Sequence, residues 1–441
     1  MIKIAVIGTG YVGLVTGTGL SDFGNKVVCT DINREKIEIL QKGEIPIYEP
    51  GLKELIDRNV SSGRLSFSHD IGTAIQNAEV IFIAVWTPMG VNGEADLSAV
   101  IEVAKTIGRN LNRYKVICTK STVPIGTGDK IKEVIKDNLN SDNSDNTFDV
   151  VSNPEFMREG SAVKDFLLPN RVVIGTESEK AKSIMKNIYR PLFINETPMV
   201  FTNIPTAETI KYASNAFLAV KISFINEIAN LCDVTGADVH VVAKGMGLDG
   251  RISPKFLHPG PGFGGSCFPK DTSALIHMGE KRGVDFNVVM AALKTNEHQR
   301  LHVYKKLLML MNENVKGKKV AILGLAFKAN TDDVRKSAAV YFLEKLLKDG
   351  AIVTAFDPIA NSNMEKIFPA VGYCNSLNEA VKDTDAVVIL TEWHEFRGMD
   401  LEKVASLVRE KVILDVKNIL NPNELKRLGY NFDNVGRPTV K

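Results

Sequence analysis

Gly8-Thr9-Gly10-Tyr11-Val12-Gly13 follows the apolar run Lys3–Ile7 and leads into a stretch with helical spacing that reaches Gly24. A second apolar run, Lys26–Thr30, ends at Asp31. Short apolar runs rich in β-branched residues predict buried parallel strands. Glycines at these three positions permit a tight turn and the approach of a pyrophosphate to a helix N-terminus. This part of the chain therefore predicts a strand, turn and helix that bind a dinucleotide.

Asp31 stands where a ribose-binding acid is expected, at the end of the second predicted strand. A carboxylate there accepts hydrogen bonds from the ribose diol and repels a 2′-phosphate, so the sequence favours NAD over NADP. Lys36 leaves two interpretations open, contact with the adenosine side or a solvated helix lysine. A turn of the same spacing that binds no nucleotide is the alternative for the whole motif.

Further strands separated by helical patterns extend the fold. In the first segment they are predicted at Val80–Val85, Val116–Thr119 and Val172–Gly175, and the Ser/Asp/Asn-rich stretch Ser141–Asn146 predicts a surface loop. Glu208–Val234 has apolar residues at helical spacing without Gly or Pro, which predicts one long helix. Two more helical patterns follow at Thr272–Gly279 and Val288–Met311.

Strand signals return in the last third of the chain, at Lys319–Leu323, Ile352–Phe356, Val387–Leu390 and Val412–Leu414, with a helix expected from about Ser337. The predicted fold class is α/β, with two doubly wound Rossmann-like domains joined by a long central helix and a helical middle domain. The expected domains are residues 1–203, which bind NAD, residues 204–312, which are helical, and residues 313–441.

Composition excludes several classes of function for this chain of 441 residues. Its 54 basic and 52 acidic residues give a net charge of +2, which supplies no one-sign field for nucleic acid or an anionic membrane. No run of eighteen apolar residues predicts a membrane span. The five cysteines form no Cys-x-x-Cys pair and the histidines show no ligand spacing, so neither a metal site nor a disulfide framework is predicted. We expect a cytoplasmic protein.

The stretch Gly260-Pro261-Gly262-Phe263-Gly264-Gly265-Ser266-Cys267 predicts a tight loop, because it cannot form regular structure. Lys270 and Asp271 follow it closely. A thiol on a glycine-rich loop beside a lysine and an acid is typical of an accessible nucleophile with a lowered pKa. A small buried hydrophobic residue is the alternative for Cys267, and it is the role predicted for the other four cysteines (Cys29, Cys118, Cys232 and Cys374).

Three other places carry polar residues in a suggestive setting. Lys211 and Asn215 share one helix face, although an exposed polar pair is the commoner meaning of that spacing. Ser152-Asn153-Pro154-Glu155-Phe156 is a strand end leading into a turn, where ligand contacts are usual. Gly324-Leu325-Ala326-Phe327-Lys328 lacks two of the three glycines, so it fits a pyrophosphate poorly. Lys328 offers a charge to a phosphate there, or the domain is purely structural.

Taken together, these motifs resemble the UDP-glucose/GDP-mannose dehydrogenase family over nearly the whole chain. The stretches that carry the resemblance are Gly8–Gly13, Pro46–Gly51, Ser121–Pro124, Ser152–Phe156, Lys211–Ala216, Gly262–Asp271 and Gly324–Lys328. The resemblance implies oxidation of the 6-hydroxymethyl group of UDP-glucose to a carboxylate with two NAD+. Cys267 is implied as the nucleophile that forms a thiohemiacetal and then a thioester, which water hydrolyses to UDP-glucuronate.

The resemblance also assigns roles to individual residues. The implied catalytic residues are Cys267, Lys211, Asn215, Asp271, Glu155 and Thr122. The implied cofactor-binding residues are Gly8, Gly10, Tyr11, Val12, Gly13, Asp31, Lys36, Thr87, Thr122, Glu159, Lys270 and Arg335. The implied substrate-binding residues are Glu155, Phe156, Lys211, Asn215, Arg251, Phe256, Leu257, Gly264, Lys328 and Lys417. Members commonly dimerise through the long central helix, so a homodimer is expected.

Two departures from the family pattern stand out. Lys417 replaces an arginine, which keeps the charge but loses the fork that grips two oxygens. Trp86 and Met89 stand where smaller residues or proline are usual. Three alternatives remain: the same chemistry on GDP-mannose or a UDP-N-acetylhexosamine, a two-electron dehydrogenase of the hydroxyacid type, and a non-catalytic nucleotide sensor.

Overall fold

The computed structural model describes residues 1–140 and 147–438, and the predicted loop Ser141–Asn146 lies outside this range. The chain forms two compact units. The first consists of Met1–Ser214 and Ser273–Val284, and the second of Asn215–Thr272 and the residues from Asp285 onward. No helix in the described part of the chain combines the length and the apolar character that a membrane span requires.

An eight-stranded sheet organises the first unit. Its strands are β1 (Lys3–Ile7), β2 (Lys26–Thr30), β3 (Leu65–Ser68), β4 (Val80–Ile83), β5 (Lys115–Thr119), β6 (Phe148–Ser152), β7 (Val172–Gly175) and β8 (Met199–Thr202). They lie in the order β3-β2-β1-β4-β5-β6-β7-β8. The first six are parallel, as in a doubly wound sheet. β7 meets β6 in an antiparallel bridge, so the parallel pairing predicted for Val172–Gly175 is wrong towards β6, whereas β7 and β8 are parallel to each other.

The helices of the first unit cover both faces of this sheet. They are α1 (Tyr11–Asp22), α2 (Arg34–Gln41), α3 (Leu52–Ser61), α4 (Ile71–Asn77), α5 (Ser98–Asn110), α6 (Thr127–Asp137), α7 (Ala162–Leu167) and α8 (Glu179–Ile188), with a 3-10 helix at Arg190–Asn195. Alternate residues of β1 enter different cores: Ile4 and Val6 join one cluster, and Ala5 and Ile7 join the other. A strand buried on both faces explains the uninterrupted apolar run in the sequence.

Two long helices continue from one unit into the other along the chain. They are α9 (Ile204–Thr235) and α11 (Phe268–Glu280). The long helix predicted at Glu208–Val234 is therefore confirmed and extends slightly at both ends. α11 begins directly after Cys267, four residues earlier than the helical pattern indicated.

The second unit contains a six-stranded parallel sheet in the order β11-β10-β9-β12-β13-β14. Its strands are β9 (Lys319–Leu323), β10 (Ile352–Phe356), β11 (Gly372–Tyr373), β12 (Ala386–Ile389), β13 (Val412–Asp415) and β14 (Asn431–Asn434). Its other helices are α10 (Val239–Gly247), α12 (Asn287–Leu310), α13 (Ala338–Lys348), α14 (Asn361–Glu365), α15 (Leu377–Val381), α16 (His394–Arg397), α17 (Leu401–Leu407) and α18 (Pro422–Arg427). This strand order matches that of β1–β6, so the second sheet repeats the topology of the first six strands of the first sheet.

Candidate active site

The glycines of the first loop have three separate functions. A Cβ on Gly8 would lie 2.6 Å from the carbonyl oxygen of Ala84, and the φ of Gly8 is +104°. A Cβ on Gly13 would lie 1.9 Å from the carbonyl oxygen of Gly8, so this glycine lets α1 pack against the turn. A Cβ on Gly10 would meet no atom within 4 Å. The N-terminus of α1, with Tyr11 and Val12 in its first turn, is therefore open where a pyrophosphate would bind.

Asp31 directly follows β2 and is held by hydrogen bonds. Its Oδ2 accepts hydrogen bonds from the amide and hydroxyl of Thr9, both at 2.8 Å, and its Oδ1 accepts one from the amide of Asn33 at 2.9 Å. Burial alone would raise the pKa of Asp31, but these hydrogen bonds and the nearby charge of Lys36 hold the pKa below its ordinary value. An open helix N-terminus followed by a charged acid fits the pyrophosphate and ribose of NAD.

The loop after β5 carries Thr122 and is anchored at two points. The hydroxyl of Thr87 donates to the carbonyl of Thr122 at 3.0 Å. The carboxylate of Glu208 on α9 accepts from the amides of Gly126 and Gly128, at 2.7 and 3.0 Å. Burial raises the pKa of Glu208 to about 7. Sequence reasoning missed Glu208, because its partners lie about eighty residues away and leave no local pattern.

Lys211 and Glu155 form a buried ion pair. The ammonium of Lys211 donates to Glu155 Oε1 at 2.9 Å and to the carbonyl of Glu155 at 2.8 Å. The side chains are only 5% and 6% exposed, and Asn215 is also buried. The alternative of an exposed polar pair at Lys211 and Asn215 is therefore wrong. The ring of Phe156 has the guanidinium of Arg171 at 3.4 Å from its centroid and the Lys211 ammonium at 5.4 Å.

A second buried lysine supports the strand ends near Glu155. The ammonium of Lys120 donates to Asn153 Oδ1 at 3.1 Å, and the hydroxyl of Tyr189 donates to the same oxygen at 2.6 Å. Asn153 in turn donates to the carbonyl of Val173 at 2.7 Å. Burial lowers the pKa of Lys120 to about 8. Asn153 belongs to the motif Ser152–Phe156, which the sequence analysis identified. Lys120 could not be placed beside it from the sequence, because the pairing of β5 with β6 brings the two residues together.

Cys267 lies at the N-terminal end of α11. Its carbonyl accepts the amide of Asp271 at 2.8 Å, and its sulfur lies 3.7 Å from the hydroxyl oxygen of Ser266. Cys267 is partly exposed, whereas the other four cysteines are buried, as predicted. Burial raises the pKa of both Cys29 and Cys118 to about 12. A thiol at a helix N-terminus is instead in a setting that favours the thiolate.

Asp271 connects two of the predicted site residues. Its Oδ2 accepts from the Asn215 side-chain amide at 2.6 Å, and its Oδ1 accepts from the ammonium of Lys270 at 2.7 Å. The Asp271 side chain is 1% exposed. The second unit therefore brings Asn215, Lys270 and Asp271 into one hydrogen-bonded group. Asp271 itself stands four residues after Cys267 in the chain.

The glycines before Cys267 have a packing function. A Cβ on Gly264 would lie 2.3 Å from the carbonyl oxygen of Lys336. A Cβ on Gly265, whose φ is +79°, would lie 2.9–3.0 Å from the ring of Phe327. The loop is therefore pressed against two segments that follow β9. Its glycine content is explained by this close packing, which also fixes the place of Cys267.

The predicted sugar-binding residues of the second unit have different settings. Phe256 has a φ of +66°, and its ring centroid lies 6.2 Å from that of Phe268. Leu257 is 3% exposed and belongs to the hydrophobic core. The exposed guanidinium of Arg251 pairs with Asp249 at 2.6 Å.

Three cations predicted to bind ligands, Lys328 and Lys417 for the substrate and Arg335 for the cofactor, follow strands of the second sheet. Lys417 pairs with Glu392 at 2.7 Å, and Arg335 pairs with Asp333 at 2.8 Å. The ammonium of Lys328 lies 5.4 Å from the centroid of the Phe327 ring. These cations are therefore engaged by groups of the same unit.

Asp357 stands at the end of β10, the position that Asp31 has in the first unit. It is 2% exposed and accepts from the amides of Leu325 and Ala326 and from the indole of Trp393. It also accepts from two amides that follow it. This acid holds the glycine turn closed and is not available to a ribose, which agrees with the loss of two glycines there.

Comparison with known proteins places the chain among sugar-nucleotide enzymes. Residues 2–193, 205–298 and 321–422 match the NAD-binding, central and UDP-binding domains of one family. The chain is 50% identical to UDP-glucose 6-dehydrogenase TuaD of Bacillus subtilis, with 100% of this chain and 94% of that protein covered. It is 46% identical to UDP-glucose 6-dehydrogenase of Rhizobium meliloti, with 99% and 100% covered. A solved UDP-glucose dehydrogenase from Pyrobaculum islandicum superposes with a TM-score of 0.91 at 37% identity, with 99% and 98% covered. The chain therefore belongs to the UDP-glucose/GDP-mannose dehydrogenase family.

Proposed function

We propose that this chain is an NAD-dependent UDP-glucose 6-dehydrogenase that converts UDP-glucose to UDP-glucuronate. Two full-length relatives at 50% and 46% identity carry that name. The observation that carries the proposal is the position of Cys267 at the start of α11, with the buried Asp271 in the first turn of the same helix. An alcohol dehydrogenase that stops at the aldehyde needs no such thiol.

The first oxidation converts the C6 alcohol to an aldehyde with loss of a hydride and a proton. NAD+, when bound, supplies the hydride acceptor, and each of the two oxidations uses one NAD+. Gly8, Gly10 and Gly13 shape its loop, and Asp31 receives the ribose. The remaining residues proposed to contact the cofactor are Tyr11, Val12, Lys36, Thr87, Thr122, Glu159, Lys270 and Arg335.

Cys267 makes the second oxidation possible. An aldehyde has no hydroxyl group from which a second hydride can depart until a nucleophile adds. The thiolate of Cys267 forms a carbon–sulfur bond to C6, and the oxygen takes up a proton to give a thiohemiacetal. Loss of a hydride and a proton from that adduct leaves a thioester. Water then cleaves the carbon–sulfur bond, which releases the carboxylate and restores the thiol.

The buried polar groups act on charge and protons during these steps. Lys211 stabilises the oxyanion at C6, with the amide of Asn215 as a second donor. Glu155 holds the ammonium of Lys211 and assists hydrolysis as a general base. Asp271 and Thr122 position the water and relay protons. Because Asp271 accepts from Asn215 at 2.6 Å, it also fixes the orientation of that amide.

Substrate binding is assigned mainly to the second unit. Phe256, Leu257 and the backbone near Gly264 hold the sugar and uridine, while Lys328 and Lys417 contact the UDP portion. Glu155, Phe156, Lys211 and Asn215 contact the sugar, and Arg251 reaches the sugar of a neighbouring subunit. The division into domains of residues 1–203, 204–312 and 313–441 is part of the same proposal, as is a cytoplasmic location.

The test counts NADH formed per UDP-glucose consumed, with NAD+ in excess. We expect two NADH per sugar from the wild type and UDP-glucuronate as product. Cys267→Ser should stall, since serine is a poor nucleophile without a strong base. Cys374→Ser, which alters a buried thiol, is the matched control and should still form two NADH per sugar. A yield of one NADH per sugar that does not depend on Cys267 would favour a simple alcohol dehydrogenase. Turnover with another nucleotide sugar alone would keep the chemistry and replace the substrate.

We also propose that the chain forms a homodimer through α9. Phe217, Phe224 and Leu231 recur every seven residues on this helix and are 63%, 45% and 56% exposed. Such a stripe on one helix face is typical of a surface that packs against another helix. Phe224→Lys is expected to reduce the sedimenting mass to that of a monomer, whereas the exposed-site control Lys244→Glu should leave a dimer. A wild type that sediments as a monomer would refute the proposal.

A further inference from the structure

Glu49 belongs to the stretch Pro46–Gly51, for which the reaction gives no role. Its side chain is buried, and the residue is 4% exposed. The carboxylate lies against two other segments of the first unit. One is the dinucleotide loop, through the hydroxyl of Tyr11. The other is the start of α7, more than 110 residues further along the chain.

The hydrogen bonds of Glu49 replace a missing helix cap. Its Oε1 accepts from the amide of Ala162 at 2.7 Å, and its Oε2 accepts from the amide of Gly160 at 2.7 Å. Ser161, the N-cap residue of α7, makes no side-chain cap hydrogen bond. An anionic acceptor at the first turn of a helix satisfies its exposed amides and interacts favourably with its dipole.

Tyr11 completes the connection. Its hydroxyl donates to Glu49 Oε2 and accepts from the amide of Gly160 at 2.8 Å. Tyr11 is the first residue of α1, so its backbone lies at the proposed pyrophosphate position. Gly160 is the last residue of the segment Glu155–Gly160. At the other end of this segment, the ammonium of Lys211 donates to Glu155 Oε1 at 2.9 Å.

We propose that Glu49 is a positioning residue for the dinucleotide site, which holds Tyr11 and the segment Glu155–Gly160 in one arrangement. It does not touch the cofactor. Removing its charge releases the Tyr11 hydroxyl and the two amides, so the loop at the start of α1 becomes ordered only when the dinucleotide binds. Binding must then supply the ordering free energy, and affinity falls. The inference rests on the proposed function in that it takes the ligand of this loop to be NAD.

The test measures binding rather than turnover. We titrate wild type, Glu49→Gln and Tyr11→Phe with NADH by fluorescence and with UDP by calorimetry. Glu49→Gln keeps the size of the side chain but directs an amide towards backbone donors, and we expect a Kd for NADH about tenfold higher. Tyr11→Phe keeps the ring and should raise this Kd at least threefold. UDP, which lacks the sugar, should keep its Kd within twofold in both variants.

Two controls separate positioning from general damage. Glu54→Gln changes an exposed carboxylate on α3 and should match the wild type. A double variant at Glu49 and Tyr11 should be no weaker than Glu49→Gln alone, because both changes remove one shared contact. A purely structural role would lower the fraction of competent protein for NADH and UDP alike, without changing either Kd.

Wild-type affinity for NADH in both single variants would overturn the inference. If Glu49→Gln does not fold, Tyr11→Phe decides alone, and an unchanged Kd for NADH in that variant refutes the proposal. A wild type that does not bind NADH would instead refute the proposed function.

Discussion

Glu208 is expected to make the stability of the first unit depend on pH. Burial raises the pKa of its carboxyl from the ordinary 4.5 to about 7, against the lowering effect of hydrogen bonds from Gly126 and Gly128. The nearby charge of Asp129 raises the pKa further. The folded protein therefore holds a proton on Glu208 more tightly than the unfolded chain does.

The sign and size of the effect follow from this shift. The contribution of Glu208 to the free energy of unfolding is present in full below about pH 4.5 and is lost as pH rises through about 7. At about 1.4 kcal/mol per pKa unit, the whole change is about 3 kcal/mol. For a unit of roughly 200 residues, that corresponds to about 6–12 °C in melting temperature.

The assay compares the melting temperatures of wild type and Glu208→Gln between pH 5 and pH 8, because glutamine cannot titrate. We expect the difference, variant minus wild type, to increase by about 6 °C or more across this range. Glu133→Gln, an exposed change on α6, should show no such trend. A difference that stays constant with pH, or that falls, would refute the reasoning that burial dominates at Glu208.

Three further predictions concern buried groups. Lys211→Met should destabilise the protein by about 3–5 kcal/mol, because it leaves the charge of Glu155 buried and unpaired. Adding Glu155→Gln to this variant should restore the melting temperature but not turnover. Asp357→Asn should cost about 1–3 kcal/mol, measured by chemical denaturation, since an amide then faces backbone donors; unchanged stability would contradict this. Gly265→Ala should reduce alkylation of Cys267 by iodoacetamide or abolish turnover, because its φ is +79° and a Cβ would meet a ring; wild-type behaviour in both assays would contradict the packing argument.

Local patterns in the sequence predicted much of the fold. The strands Lys3–Ile7, Lys26–Thr30 and Lys319–Leu323 were located to the residue, because a strand buried on both faces is a continuous apolar run. Short or polar edge strands such as Gly372–Tyr373 and Asn431–Asn434 were missed, since they carry no continuous apolar run.

Local patterns also identified the loop that carries Cys267 and the acid Asp31. Both depend on residues that are neighbours in the chain, namely glycines, a thiol and a strand end. The dinucleotide motif needs only Gly8–Gly13 and the next strand to be recognised, because its chemistry is confined to one strand–helix–strand unit. Fold class and cofactor were therefore accessible before any tertiary contact was known.

Contacts between distant segments were decided only by the tertiary structure. Asp31 and Asp357 both directly follow the second strand of a similar sheet, yet the indole of Trp393 and backbone amides occupy Asp357 completely. Glu49 and Glu208 find their partners about 110 and 80 residues away. A buried carboxylate is stabilised by whichever donors the fold brings to it, and these donors are backbone amides that every sequence possesses. The sequence by itself determined the strands, the glycine turns and the thiol, whereas the placement of the buried charges was decided by the packing of the sheets.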